Sequence, residues 1–329
     1  MQHIVYYTTT ILVASVGIFI WLERKIPYRK GLPVLRDGFW VDMVWYTLIQ
    51  SYFLKILIFD YVIAPMDRAW HLSTLHLVSS WPLVCQVLFF LVVHDFYIYW
   101  FHRWQHHSKI LWRTHEAHHS NKEVDWLAGT RSHALEIIIN QTVEFAPIIL
   151  LGADPRVVPI KALLDAVWGM YIHSNIDVRS GKLQYVINGP EMHQWHHAND
   201  RRVFWANFST KFAIWDWLFG TAFLPPGEKP AEYGLYYDYP KDYFLQHIFS
   251  VKRLDEDSLA EKHRWFGLYH GIRQRILARL TGTRPEPKSE LLSLNIEAHG
   301  LDLPADSLPV RNMLDVLPEV HERAEAEDH

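Results

Sequence analysis

Cysteine is nearly absent: Cys85 stands alone in 329 residues, inside an apolar run. That excludes an internal disulfide framework and any Cys-x-x-Cys zinc or redox motif. Surplus basic charge is missing too. With a net charge of -4 and an isoelectric point near 6.6, the chain lacks the surface that nucleic acid requires, so no nucleic-acid partner is expected. There is no His-Pro-Gly-Gly haem motif, no cysteine set for iron and sulfur, and no Gly-x-Gly-x-x-Gly turn for a nicotinamide or flavin. Internal repeats and low-complexity blocks are likewise absent.

What the chain has instead is apolar length, aromatic side chains and histidine. Ile4 to Leu22 carries no charge and is long enough to cross a hydrocarbon core of roughly 30 Å at ~1.5 Å per residue. Met1 to His3 hold no Lys or Arg, and Glu23-Arg24-Lys25 follow the run directly, so a retained anchor is expected rather than a cleaved signal peptide. Trp40 to Met66 is a second apolar block, interrupted by Asp42, Gln50, Lys55 and Asp60, which predicts a tilted or broken helix. Ser79-Ser80-Trp81-Pro82 reads as a cap with Pro in the first turn of a third span, Pro82 to Phe101. Ala134 to Leu151 and Val157 to Ile172, joined by Gly152-Ala153-Asp154-Pro155, read as a helical hairpin. The expected fold is all-α, a polytopic membrane protein with about four to five transmembrane helices and a cytoplasmic helical cap.

Arg24, Lys25, Arg29 and Lys30 place the first loop in the cytoplasm by the positive-inside rule. Counting spans from there puts the segment after Phe101, and both ends of the hairpin, on that same side. Three regions follow: residues 1–81 as an N-terminal transmembrane region, 82–224 as a catalytic domain, and 225–329 as a cytoplasmic region. In the last of these, Val251 to Thr281 reads as charged amphipathic helix and the Pro-rich acidic tail after Thr283 as loosely ordered.

Twelve histidines fall between His94 and His197, and they are grouped. The groups are His102-Arg-Trp-Gln-His106-His107, His115-Glu-Ala-His118-His119 and His193-Gln-Trp-His196-His197. A His-x-x-His-His string is expected by chance well under once in a chain of this composition, and two are present. Helical positions three and four apart share a face, so each group is expected to present two or three imidazoles to one point. Three such groups bring too many donors for one tetrahedral zinc, and two metals fit the number better. Imidazole suits Fe, Zn or Cu alike. Attack on an unactivated C–H bond with O2, by an enzyme that meets its substrate in the lipid, favours iron.

Beyond these groups, the sequence resembles the fatty acid hydroxylase and sterol desaturase superfamily of non-haem di-iron membrane oxygenases, from about Leu91 to Thr221. The resemblance is carried by His94-Asp95, Tyr99-Trp100-Phe101-His102-Arg103, Leu111-Trp112-Arg113-Thr114-His115 with His118-His119-Ser120, and Arg131-Ser132-His133 before Glu136. His173-Ser174-Asn175, the third histidine group, Asn207-Phe208 and Trp215-Asp216-Trp217-Leu218-Phe219-Gly220-Thr221 complete it. It implies metal ligands at His102, His106, His115, His118, His119, His173, His193, His196 and His197. His107 joins the candidate set one residue past a ligand position, ~100° further round the helix. Family hydroxylases often have another histidine four residues after the position of His173. Asp177 stands there, able to ligate through oxygen, to orient an imidazole, or to leave the place to water. His94, Asp95, Arg103, Glu116, His133 and Asp216 are read as side chains that orient the ligands, and Glu136 as a further polar neighbour.

The implied reaction is O2-dependent hydroxylation of an aliphatic carbon in a membrane lipid, a sterol, fatty acyl or ether lipid, with desaturation at the same site as the alternative. Electrons must then come from an external reductase or carrier. The implied setting is an integral membrane protein of the bacterial inner membrane or endoplasmic reticulum with its site facing the cytoplasm. A non-enzymatic membrane protein that binds metal or haem is the competing reading. It fits less well, since a bis-histidine haem needs two axial ligands and not repeated spacings of three and four.

Overall fold

The computed structural model describes residues 2–252 and, beyond them, only positions 272, 275, 276 and 279, all helical. The expectations for the tail after Thr283, and for most of Val251 to Thr281, lie outside the described residues. The chain divides into two units. In the larger, whose described part runs to Asp238, helices account for the regular structure. Extended pairing among the described residues is limited to two isolated bridges, Pro27 with Ile176 and Ala198 with Tyr233. In the smaller unit a helix (Tyr243–Val251) begins at Asp242, whose carboxylate accepts from the Phe244 and Leu245 N–H groups.

Among the described residues three helices are long and apolar enough to cross a membrane: α1 (Gln2–Lys25), the stretch Val41–Trp70, and α4 (Leu83–His107). The middle one is broken in character, as its polar interruptions predict. Within it π-helical turns at Val41–Gln50 and Leu57–Ile63 alternate with α2 (Ser51–Ile56) and α3 (Ala64–Trp70). Large side chains such as Tyr6, Val13, Trp21, Phe53 and Tyr61 point outward from these helices, an arrangement costly in water and favourable in lipid. The chain is an integral membrane protein. The hairpin helices α6 (Ala134–Leu150) and α7 (Val157–His173) have 17 residues each, about 26 Å of helix, a little short of the hydrocarbon thickness.

α4 opens at Leu83 with Pro82 just ahead of it, and Ser79 and Ser80 do not cap it; the Ser79 hydroxyl donates instead to the His76 carbonyl. The helix stops at Ser108, whose backbone turns extended (φ -107, ψ 120) and whose hydroxyl accepts from the Leu111 N–H to start α5 (Lys109–His119). One serine thus folds the second histidine group back beside the first. α8 (Pro190–His196) starts with Pro at its first position, where the missing N–H costs nothing.

Two apolar clusters hold this frame. Leu54, Ile58, Ile63, Val87, Phe90, Phe145, Ile148 and Val157 join the broken helix, α4, α6 and the start of α7. Phe19, Phe39, Trp126, Leu127, Met170 and Ile176 join α1 to α7 and the loop after α5. The Glu23 carboxylate at the end of α1 accepts from the N–H groups of Trp126 and Asn175, tying that loop to the chain just past His173.

A buried ion network does the same from the other side. Arg36 donates to Asp42 (2.8 Å) and lies 2.9 Å from Asp125, while Arg131 Nε donates to the second Asp42 oxygen at 2.6 Å. Removing the central carboxylate leaves two buried guanidinium groups short of charge, at a cost of roughly 3 to 5 kcal/mol. Asp42→Ala is therefore expected to lower the thermal unfolding midpoint sharply, whereas Asp177→Ala, on an exposed loop, should not move it.

Candidate metal centre

α4, α5, α7 and α8 bring their histidines to one buried region, where they sort into two groups. The first is His102 and His106 of α4, His115 and His119 of α5, and His196 of α8; the second is His118 of α5, His173 at the end of α7, and His193 and His197. Within each group the candidate donor atoms all lie within 4.8 Å of one another. Nine of the ten expected ligand histidines are brought together in this way. The exception is His107, whose Nδ1 bonds the Arg103 carbonyl of its own helix at 2.7 Å, because it lies a third of a turn away from the face that His106 shares with the cluster.

The two His-x-x-His-His strings are each divided between the groups. On α5 the pair four apart, His115 and His119, serves the first group and His118 the second; on α8 His193, with His197 just past its end, serves the second and His196 the first. The expectation that each string converges on a single point is corrected accordingly. Residues four apart differ by ~40° in azimuth, while the third histidine stands ~100° from its immediate neighbour, so each helix lies between two positions and feeds both.

The other ring nitrogens are fixed by acceptors. His102, His106 and His196 donate through Nδ1 to the carbonyls of Phe208 (2.8 Å), Phe204 (3.0 Å) and Ala206 (2.9 Å). Three alternate carbonyls of one segment thus orient three rings of the first group. His115 Nδ1 bonds Glu136 Oε1 at 2.9 Å, a carboxylate–imidazole pair that fixes the ring and raises its basicity toward a metal. In the second group His118 donates to the Arg131 carbonyl (3.1 Å) and His173 to the Gly169 carbonyl (2.8 Å).

A carbonyl only accepts, so His102, His106, His118, His173 and His196 each carry the hydrogen on Nδ1 and present a bare Nε2 lone pair. The Nε2 atoms of His102, His106, His115, His119 and His196 are buried with no protein partner. His118 Nε2 and His173 Nε2, both bare, stand 3.3 Å apart, and His193 Nε2 is 2.9 Å from His173 Nε2. The facing lone pairs of His118 and His173 repel at that distance unless a cation draws them together. Imidazole nitrogens bound at ~2.1 Å to one ion stand roughly 3 to 4 Å apart, which these separations match. Burial reinforces the ligand form. It presses His115 and His118 down to about 3, with neighbouring imidazoles acting in the same direction, and holds His119, His193, His196 and His197 well below the usual histidine range.

The supporting residues have separate roles. Asp216 accepts from the Phe208 and Ser209 N–H groups (both 2.9 Å) and from the Thr221 hydroxyl (2.6 Å), so it holds the segment whose carbonyls hold the rings. Arg103 donates to the Tyr99 hydroxyl, which lies 2.9 Å from the Thr221 hydroxyl, and so reaches the cluster only through Asp216. Asp95 accepts from the Thr210 hydroxyl, the Lys211 and Phe212 N–H groups and the Trp215 indole, fixing the loop just after the segment. His133 caps α6 by accepting from the Leu135 N–H, which presents Glu136 to His115. Glu116 is buried beside His115 and outside both groups.

Two expected roles are not met. His94 orients none of the nine cluster imidazoles; it accepts from Lys161, eight residues down α4 from His102. Asp177 lies on a surface loop, paired with Arg179 (3.1 Å) and Lys229 (2.8 Å). α7 ends at His173, and Ser174 turns extended (φ -59, ψ 145), so a residue four further on is no longer one helical turn away. Asp177→Ala is expected to leave metal content and turnover within about twofold of the parent, checked by metal analysis and product assay.

Asn207, quoted earlier only as part of a motif, proves central. Its backbone is left-handed (φ 60), a conformation asparagine tolerates better than most side chains. Its side-chain amide donates to the Met192 and Phe223 carbonyls while its oxygen accepts from the Phe223 N–H, locking the middle of the carbonyl segment.

A family model described as fatty acid hydroxylase matches residues 87–221. The chain is 29% identical over 241 residues to an ornithine lipid hydroxylase of Rhizobium tropici, covering 71% of this chain and 72% of that protein. It is 30% identical over 163 residues to alkylglycerol monooxygenase of Homo sapiens, covering 48% of this chain but 35% of that protein. With a very-long-chain aldehyde decarbonylase of Oryza sativa subsp. indica it shares 30% over 217 residues, 64% of this chain and 77% of that protein. No solved structure matches the chain.

Proposed function

The chain belongs to the fatty acid hydroxylase superfamily, and from that premise we propose that it is an O2-dependent lipid hydroxylase holding one iron in each of its two histidine groups. The observation that carries this reading is the crowding of bare Nε2 lone pairs in two adjoining buried groups. Zinc would satisfy the donors but has no redox chemistry. Relatives named as hydroxylases and monooxygenases support iron, and favour oxygen insertion over desaturation. Their named substrates, an ornithine lipid and an alkylglycerol, point to a membrane lipid with a polar head and an aliphatic chain.

When bound, the metal pair supplies the redox chemistry that turns O2 on an unactivated C–H bond. The chain supplies geometry. The carbonyls of Phe204, Ala206 and Phe208, with Glu136, hold the imidazoles in one tautomer before metal arrives, so little reorganisation is needed on loading. Packing of α4, α5, α7 and α8 around the groups keeps bulk water out, which protects the reaction from side products. In this reading residues 1–81 anchor the protein, 82–224 carry the chemistry and 225–329 face the electron donor. The basic exit of α1, Arg24 to Lys30, supports a site on the cytoplasmic side of a bacterial inner membrane or the endoplasmic reticulum.

The overall reaction is R–H + O2 + 2 e⁻ + 2 H⁺ → R–OH + H2O, with both electrons from an external reductase or carrier. Purified protein is expected to hold about two irons per chain, show no Soret band and consume O2 when reduced. Lipid extracts of cells with and without the protein should differ by the mass of one oxygen. A Soret band, or one metal per chain with no O2 uptake, would overturn the reading; loss of two hydrogens in place of oxygen gain would make it a desaturase.

A further inference from the structure

Beneath the histidine groups the same helices carry a second polar layer. His94 on α4, Glu144 on α6 and Asp165 on α7 each lie eight residues, about 12 Å of helix, from His102, Glu136 and His173 respectively. The three side chains have the spacing of a cation site, and the cation is part of the chain. Lys161, fully buried, donates to His94 Nδ1 (3.1 Å), Glu144 Oε1 (2.7 Å) and Asp165 Oδ2 (2.6 Å), which uses all three of its hydrogens. Lys211 lies 2.7 Å from Asp165 Oδ1 and 3.8 Å from Asp95 Oδ1.

Charge in this layer does not balance. Three carboxylates, Asp95, Glu144 and Asp165, face two ammonium groups, Lys161 and Lys211, and one negative charge is left over. In a buried site between membrane helices such a charge takes up a proton. Asp95 is not its holder, because it accepts four hydrogen bonds, as only a carboxylate can. Glu144 and Asp165 accept from the same Lys161 ammonium and offer oxygens within 4.8 Å of each other, and two carboxylates so close and so buried are relieved by one shared proton. His94 cannot relieve them: Lys161 occupies its Nδ1, and its Nε2 stands 4.0 Å from Glu144 Oε2.

We propose that the Glu144–Asp165 pair holds one mobile proton in reserve for the oxygen chemistry at the histidine groups. The proposal rests on the hydroxylase reading, in which each turnover brings two protons to a site closed to water. A polar path leads there. Along α6, Glu144, Asn140 and Glu136 follow one another at one-turn spacing, and the Tyr97 hydroxyl on α4 donates to Asn140 Oδ1 at 3.3 Å. Glu136 ends the path at His115. The proton leaves in the water that forms with the alcohol, and the pair is recharged from solvent before the next cycle.

The test is infrared difference spectroscopy of the purified protein, reading the carboxylic acid C=O band that shifts in D2O. Wild type minus Glu144→Gln, and wild type minus Asp165→Asn, should each show the loss of one buried acid, since either amide restores charge balance. Lys161→Met should gain one. Equal metal content across the variants certifies the fold, and the two amide variants decide the matter if Lys161→Met does not fold. In turnover Glu144→Gln should form product about tenfold more slowly with a larger solvent isotope effect. An acid band unchanged in both amide variants, or wild-type turnover and isotope effect in Glu144→Gln, overturns the proposal. Absence of any O2 uptake in the wild type would instead overturn the hydroxylase reading, and the infrared result stands apart from it.

Discussion

His193→Ala should lower the metal content from about two per chain to about one, while His196→Ala, which removes a histidine only three positions further on, should lower it less. Both should bring turnover to background. The asymmetry follows from the way the strings are divided. His193 is one of four donors in the second group, and its loss leaves three; His196 is one of five in the first, and its loss leaves four. A metal held by three imidazoles has an open protein position and exchanges more readily than one held by four. Both variants should still insert in the membrane, because α8 is a short helix and is not itself one of the helices long and apolar enough to cross it. The measurements are metal per chain and O2 uptake on reduction. Equal loss in the two variants would mean that the histidines of α8 serve one position and that the division is wrong.

That division marks the limit of what the sequence discloses. The strings themselves are legible because an i, i+3, i+4 pattern of one residue type is rare and needs only local helix to become a face. Their sharing between two groups depends on where α5 and α8 lie relative to α4 and α7, which no local pattern encodes. The carbonyls of Phe204, Ala206 and Phe208 are harder still to foresee, since a backbone group has no letter of its own; the available signal was Asn207, a side chain suited to φ above zero in the middle of that segment. Of the three alternatives for Asp177, ligation and orientation of a ring are absent for a definite reason. Counting four residues from His173 assumes a helix that stops at His173 itself. For His94 the depth differs: about two turns before His102 on α4 lies a different polar layer, whose partners on α6 and α7 are visible only once the hairpin is folded against α4. The membrane character and the helical class, by contrast, are stated by long uncharged runs, and the structure keeps them.

Gly129→Ala should be nearly as damaging as loss of a ligand, though residue 129 carries no donor. A Cβ there would lie 2.5 Å from His173 Nδ1, 2.7 Å from its Cε1 and 2.9 Å from its Cγ. One of the two must move. Gly129 sits in a short turn, Ala128–Thr130, backed by the buried Trp126 and Leu127, and the Asp125 carboxylate accepts from the Leu127 and Ala128 N–H groups, so the backbone has little room to retreat. The ring is held as firmly, by its bond to the Gly169 carbonyl on one edge and by His193 and His118 at Nε2 on the other. The alanine therefore displaces His173 from the second group. Loss of orientation alone costs 10- to 100-fold in metal affinity at sites of this type, roughly, and physical displacement should reach at least the upper figure. Metal content should fall to about one per chain, with turnover at background. Gly169→Ala is the matched control. A Cβ at Gly169 meets nothing within 4 Å, and the substitution favours the helix by up to about 1 kcal/mol, so metal content should stay at the parent value although this residue's carbonyl holds the same ring. Full metal content in Gly129→Ala would mean that His173 can leave its position without loss, and that the second group is held by His118, His193 and His197 alone.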